Sequence, residues 1–226
     1  MSKNITKKAP PRSYVIRNGR VTASQKKSIK ENWSEFGVDP KKTAFKEIFP
    51  NDSRIIVEVG FGSGENLLHL SEDQNSLHFL GIEVYTSGIG ALIRRAKKRG
   101  VLNLKVINHD ARSLFNNFIA KESLEAVLIF HPDPWPKRKH NKRRLVNDLF
   151  IKNIHKTLKR GGFLYFKTDS LDYFKKVSLK LNNVQGLKKI KIEELPIFLQ
   201  SIPKSKYESK AITNKNQVNY LTYTKS

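Results

Sequence analysis

The sequence contains no cysteine. That absence excludes disulfides, iron–sulfur clusters and thiolate zinc sites, and it fits a reducing, cytoplasmic setting. Acidic residues are scarce as well: 20 Asp and Glu stand against 43 Lys and Arg, a formal charge of +23. Like charges repel one another in the compact state, so folding gains nothing from this excess, whereas a polyanionic partner accounts for it. Nucleic acid is the leading candidate and an anionic membrane surface the rival. No apolar run approaches 18 residues, so no spanning helix and no membrane partner are expected. Lys3, Lys7 and Lys8 have no apolar stretch behind them, so no signal peptide is expected either. The 6 histidines show no metal-ligand spacing, and the chain shows no internal repeat and no second core.

What is present is a foldable composition. Apolar residues make up 38% of 226, with 13 Phe and 7 Tyr, enough for one full α/β domain and too few for two large ones. Charge divides the chain. Residues 1–50 carry 12 Lys or Arg against 4 Asp or Glu and read as a basic arm. Pro10-Pro11 precludes regular structure there, and Arg12, Arg17 and Arg20 flank a turn at Asn18-Gly19. One helix is expected from Ser24 to Phe36, with Ile29, Trp33 and Phe36 on a shared face. Residues 51–226 read as a separate catalytic-type domain.

In that domain strands alternate with helices. Arg54–Val59, Leu77–Val84, Leu104–Asn108, Ala126–Phe130 and Phe163–Thr168 read as strands. Helices are expected over Gly64–Leu70, Ser87–Arg99, Leu171–Leu181, and from an Asn141 cap to Lys159 with Leu145, Leu149, Ile151, Ile154 and Leu158 on its apolar side and Gly161-Gly162 ending it. Lys188–Ile192 and Asn219–Thr224 read as a terminal antiparallel pair. Alternation of this kind builds βαβ units and an open parallel sheet covered on both faces.

The first strand ends in Glu58-Val59-Gly60-Phe61-Gly62-Ser63-Gly64. Gly60 permits a tight turn, Gly62 a close approach of backbone to ligand, and Gly64 close packing of helix and strand. Such a loop serves dinucleotides, S-adenosylmethionine or simple turns alike. The acids around it discriminate. Glu58 at the strand's carboxyl end disfavours a pyrophosphate, which argues against a nicotinamide-dependent oxidoreductase, and suits the cationic amino and sulfonium groups of S-adenosylmethionine. Glu83, 19 residues beyond Gly64, can accept from both ribose hydroxyls. Asp110 follows the third strand and can accept from the adenine amino group.

After the fourth strand comes His131-Pro132-Asp133-Pro134-Trp135-Pro136, whose three prolines stiffen the loop. Asp133 is thereby held at the mouth of the sheet. Trp135 is read as propping the loop more readily than as stacking on a base. Of the 8 residues from Lys137 to Arg144, 6 are Lys or Arg, and this run is read as a phosphate-binding patch comprising Arg138, Lys139, His140, Lys142, Arg143 and Arg144. His131 needs no catalytic role. Thr168-Asp169 points another carboxylate at the same cleft. Ser205, Lys206, Tyr207 and Glu208 form a polar cluster in the long segment before the last strand, and spacing alone does not raise it above a solvated loop.

From residue 12 to about 224 the chain resembles the bacterial tRNA (guanine-N7-)-methyltransferase family. The glycine loop is common to many methyltransferases; Pro132-Asp133-Pro134-Trp135-Pro136-Lys137 followed by His140-Asn141-Lys142-Arg143-Arg144 is far more specific, and Thr168-Asp169 and Ser205–Glu208 match later motifs. The resemblance implies a Rossmann-like α/β fold, the seven-stranded class I methyltransferase sheet with its last strand antiparallel. It implies S-adenosyl-L-methionine contacts at Glu58, Glu83 and Asp110, a catalytic Asp133 that also borders the cofactor, and substrate contacts at Lys137, Asp169 and Ser205–Glu208. It implies a tRNA substrate methylated at guanosine 46 of the variable loop, with no obligate protein partner, by a monomer or homodimer. The chain departs from the family at Ser205, where Thr is usual, and at Ala211, where glycine is usual. The alternatives are a methyltransferase of another RNA base or of protein, and a non-catalytic RNA-binding protein.

Overall fold

A computed structural model describes residues 11–15, 21–203, 208 and 217–226. Its frame is one seven-stranded sheet in the order β3-β2-β1-β4-β5-β7-β6. The strands are β1 (Ile55–Val59), β2 (His78–Glu83), β3 (Leu104–Asn108), β4 (Leu124–Phe130), β5 (Leu158–Thr168), β6 (Leu187–Lys189) and β7 (Asn219–Lys225). β1 to β5 pair in parallel, and β7 runs antiparallel between β5 and β6. This is the expected Rossmann-like class I methyltransferase sheet. The central strands β1 and β4 are buried along nearly their whole length, because helices cover both faces.

The helices are α1 (Ala23–Phe36), α2 (Glu65–Asp73), α3 (Thr86–Lys98), α4 (Ala111–Asn117), α5 (Asp148–Thr157), α6 (Leu171–Asn182) and the single turn α7 (Ile197–Gln200). On one face α4, α5 and α6 bury Leu114, Phe115, Phe150, Ile154, Tyr173 and Val177 against Val57, Val127 and Phe166. On the other, Phe36 of α1, Leu67 of α2 and Leu92 and Ile93 of α3 pack with Ile56, Phe79 and Leu128.

α1 begins one residue before the expected start, where Thr22 and Gln25 exchange capping bonds of 3.2 and 2.9 Å. Phe36 belongs to one core and Phe45, Ile48 and Phe49 to the other. The division at residue 50 is therefore one of charge rather than of packing. Two expectations are corrected. Asn141 does not cap the helix before β5; Asn147 does, accepting from the Phe150 amide at 2.9 Å, and Arg138–Arg143 form a 3₁₀ turn instead. With the helix starting at Asp148, Phe150, Ile151 and Ile154 face the core and Leu149 is 62% exposed. Gly161-Gly162 does not end that helix either: it closes at Thr157, and Gly161, at φ 74°, lies inside β5, where the pairing with β4 shifts register between Leu124 and Ala126.

Candidate functional site

A cavity of about 300 Å³ opens at the carboxyl ends of β1, β2 and β4. Its wall includes Glu58, Gly60, Gly62, Glu83, Asp110 and Asp133, which the sequence placed at one site from four separate segments. In an open parallel sheet this crevice is where ligands bind.

The glycine loop forms its floor. Gly60, Gly62 and Gly64 all have positive φ, at 72°, 57° and 76°, a region that side chains with a Cβ rarely adopt. A Cβ on Gly60 or Gly62 would meet no atom within 4 Å, so these positions are free to face a ligand. Gly64 acts differently from expectation: its missing Cβ makes room for Leu92 of α3, at 2.8 Å, rather than for the strand. Gly88, which stands in no sequence motif, lets the first turn of α3 approach the carbonyl of Gly62.

Glu83 holds the loop together. Its Oε1 accepts from the amides of Val84 and Tyr85 at 2.7 and 3.0 Å, and its Oε2 accepts from Gly62 at 2.9 Å. Burial raises its pKa, and these three amides oppose the rise. A carboxylate has about four acceptor positions, so capacity remains for a hydroxyl. Asp110 likewise has two tasks, since one oxygen caps α4 by accepting from Ser113 at 3.0 Å.

Glu58 is 2% exposed. Asn66 donates to its Oε1 at 3.4 Å, while Oε2 is buried without a hydrogen-bond partner among the described residues. Burial pushes its pKa up to about 8. A buried carboxyl so poorly satisfied, on the wall of a cavity, suits a cation and repels a phosphate. The residues present therefore fit a cationic ligand such as S-adenosylmethionine.

Part of the wall had no sequence signal. Ser13 and Tyr14 also line the cavity. Their segment is held by backbone carbonyls at alternate residues: Arg112 donates to Pro11 at 3.2 Å, Trp135 Nε1 to Ser13 at 3.0 Å and the Tyr85 hydroxyl to Val15 at 2.6 Å. A carbonyl is the same on every residue, so nothing in the sequence marks these positions. Trp135 thus props the loop, as read. Arg143 covers one face of its ring at 4.9 Å, and the His140 ring stands nearly perpendicular to it at 5.7 Å.

The segment after Asp133 divides into exposed and buried cations. Lys137, Arg138, Lys139 and Lys142 are exposed, and His140 and Arg143 are half-buried. Arg144 is a correction to the patch. It is 4% exposed, donates to the Pro134 carbonyl at 2.8 Å and to Asp172 of α6 at 2.6 Å, and lies 4.8 Å from the Tyr173 ring centre. It faces inward because Leu145 and Val146 beside it are core residues. It clamps the loop that carries Asp133 to α6. Arg144→Met is expected to cost about 1–3 kcal/mol of stability and to speed amide exchange at Trp135, both of which Arg138→Met should leave unchanged; thermal melts and hydrogen exchange compare the two.

Asp169 follows β5 and is exposed beside the cleft, 3.9 Å from His131 Nδ1. His131 itself lines the cavity, at φ 49°, and its amide donates to the Lys167 carbonyl at 2.9 Å, tying the ends of β4 and β5 together. Glu208 pairs with Lys167 at 3.5 Å. Ser205, Lys206 and Tyr207 lie outside the described residues, as do Arg17, Arg20 and Ala211.

The profile of a family described as "Putative methyltransferase" matches residues 52–221. A tRNA (guanine-N(7)-)-methyltransferase of Actinobacillus succinogenes is 39% identical over 177 residues, covering 77% of this chain and 70% of that one. One from Buchnera aphidicola subsp. Schizaphis graminum is 44% identical over 164 residues, 72% of this chain and 69% of that one. The chain belongs to this family. A solved rRNA methylase from Streptococcus thermophilus shares the fold alone, with a TM-score of 0.51 at 15% identity over 77% of this chain and 87% of its own. As a member of the tRNA (guanine-N7-)-methyltransferase family the protein uses S-adenosylmethionine. Among the described residues no helix is long and apolar enough to cross a membrane.

Proposed function

We propose that this methyltransferase transfers the methyl group of S-adenosylmethionine to N7 of guanine in tRNA, at guanosine 46 of the variable loop. The observation that carries this reading is the meeting of a cation-seeking cavity with Asp133 at its rim, directly before the exposed cations Lys137, Arg138, Lys139 and Lys142. Relatives of 39% and 44% identity that bear this activity in their names support the choice of base.

Bound S-adenosylmethionine supplies an electrophilic methyl carbon on a positively charged sulfur. Guanine N7 presents an unprotonated lone pair in the plane of the ring, so the protein needs no general base there. Its task is to hold N7 in line with the methyl carbon. Alkylation moves the positive charge from sulfur onto the purine, and Asp133 stabilises that charge where it arrives. Asp169, exposed beside the same opening, is free to accept from guanine N1–H and the 2-amino group. Adenine offers neither donor, and a mismatch of this kind costs roughly 1–3 kcal/mol. Lys137, Arg138, Lys139, Lys142 and Arg143 hold the phosphates and position the strand without reading its sequence.

The test is incubation of unmodified tRNA with labelled donor, followed by nucleoside analysis and mapping of the modified position. N7-methylguanosine at position 46 is the expected product. Label on another base, or none, would overturn the assignment.

A further inference from the structure

The parallel register across β1, β4 and β5 sets Glu58 opposite Leu128, Leu128 opposite Tyr165, and Phe130 opposite Lys167. Residues opposite one another in a ladder share a face, as do residues two apart along a strand. Glu58, Phe130 and Lys167 therefore lie on one face of the sheet at its carboxyl end, with Phe130 between carboxyl and ammonium. Lys167 is 7% exposed, and its Nζ sits 5.1 Å from the ring centres of both Phe130 and Tyr165. A lysine so placed loses its hydration, a cost that a methionine of similar length would avoid. The charge has two partners instead. Glu208 Oε2 lies 3.5 Å from Nζ, with both side chains largely buried. On the other side, across Phe130 on the same face of the sheet, lies Glu58, whose ionisation the Lys167 charge favours and whose Oε2 is buried without a hydrogen-bond partner among the described residues. Asn66, the Leu67 amide and Glu83 also act on Glu58, and His131 is a further neighbour of Lys167.

We propose that Lys167 is a positioning residue shared by the two substrates: one ammonium fixes Glu208 on the RNA side and sets the charge of Glu58 on the donor side. This rests on the reading of the cavity as the donor site and of Glu208 as a substrate contact. Its signature is a pair of shifts of opposite sign. Without Lys167, Glu58 loses a nearby positive charge and ionises less readily. Without the Glu208 charge, Lys167 serves Glu58 alone, and Glu58 ionises more readily.

The experiment is calorimetric titration of S-adenosylmethionine into the full chain across pH 6–9 in the absence of RNA. Lys167→Met is expected to move the midpoint of the acid limb of donor affinity upward by about one pH unit, and Glu208→Gln to move it downward. Lys167→Arg should stay near the parent protein. With tRNA present, Lys167→Met should raise KM for tRNA by about tenfold and change kcat less. If Lys167→Met does not fold, the direction of the Glu208→Gln shift decides alone. Unshifted midpoints, or shifts of the same sign, with donor binding intact overturn the proposal and leave the assigned reaction standing. Absence of donor binding to the parent protein overturns both.

Discussion

Asp133→Asn is expected to lower kcat by about 10²–10³, the loss typical of removing one fixed electrostatic contact to a transition state. The substitution keeps shape and removes charge. Guanine N7 brings its own lone pair, so the loss is not that of a base, and kcat should fall without the appearance of a new pH limb. Donor affinity should change little, because Glu58 and Glu83 lie deeper in the cavity than the exposed Asp133. Binding of tRNA should survive, because the cations from Lys137 to Arg143 and the clamp of Arg144 on Pro134 are untouched. Single-turnover assays with saturating donor, beside filter binding of tRNA, separate these terms. A variant that keeps kcat within about threefold would remove Asp133 from the chemistry, and one that loses tRNA binding in step with activity would make it a docking residue.

The strand core was legible because buried parallel strands are apolar runs of limited length. β3 matches the expected bounds, and β1, β2 and β4 match within two residues at either end. The cavity acids were legible because an acid at the end of an apolar strand stands out in so basic a chain, although Glu83 and Asp110 also serve the fold by holding the glycine loop and capping α4. α4 was missed, since its 7 residues show barely two turns of periodicity and its cap, Asp110, had already been read as a ligand contact. That Asn147 and not Asn141 caps the helix was illegible locally. It is settled by tertiary demands, since Arg144 must reach Pro134 and Asp172 while Leu145 and Val146 enter the core, and a helix through them would turn those side chains apart. The same demands withdrew Arg144 from a run of cations that looks uniform as sequence. Ser13 and Tyr14 reach the cavity wall through carbonyl contacts 70 or more residues away in the chain, which no local pattern encodes.

Glu58→Gln should weaken donor binding by about 100-fold or more at pH 8, because it removes the charge that a buried cation faces. The dependence on pH makes this more specific than a simple loss. Burial holds the Glu58 pKa near 8, above its ordinary value of 4.5, so below pH 8 the empty cavity contains the neutral acid. A cationic donor favours the carboxylate, so its binding below pH 8 expels a proton. Affinity in the parent protein should therefore rise by up to about tenfold per pH unit toward pH 8 and level off above it. Stability runs the other way. The folded pKa lies above the unfolded one, so the contribution of Glu58 to stability is complete below about pH 4.5 and is lost as pH rises through about 8. Each unit within that window costs about 1.4 kcal/mol at most. Glutamine does not ionise, so the donor-free variant should melt higher than the parent at pH 8, with the gap closing toward pH 5. Gain of stability and loss of donor affinity from one substitution is the mark of a carboxyl kept strained for a ligand. A parent protein whose donor affinity is flat from pH 6 to 8, or a variant that binds donor as well as the parent, would take Glu58 out of the donor site.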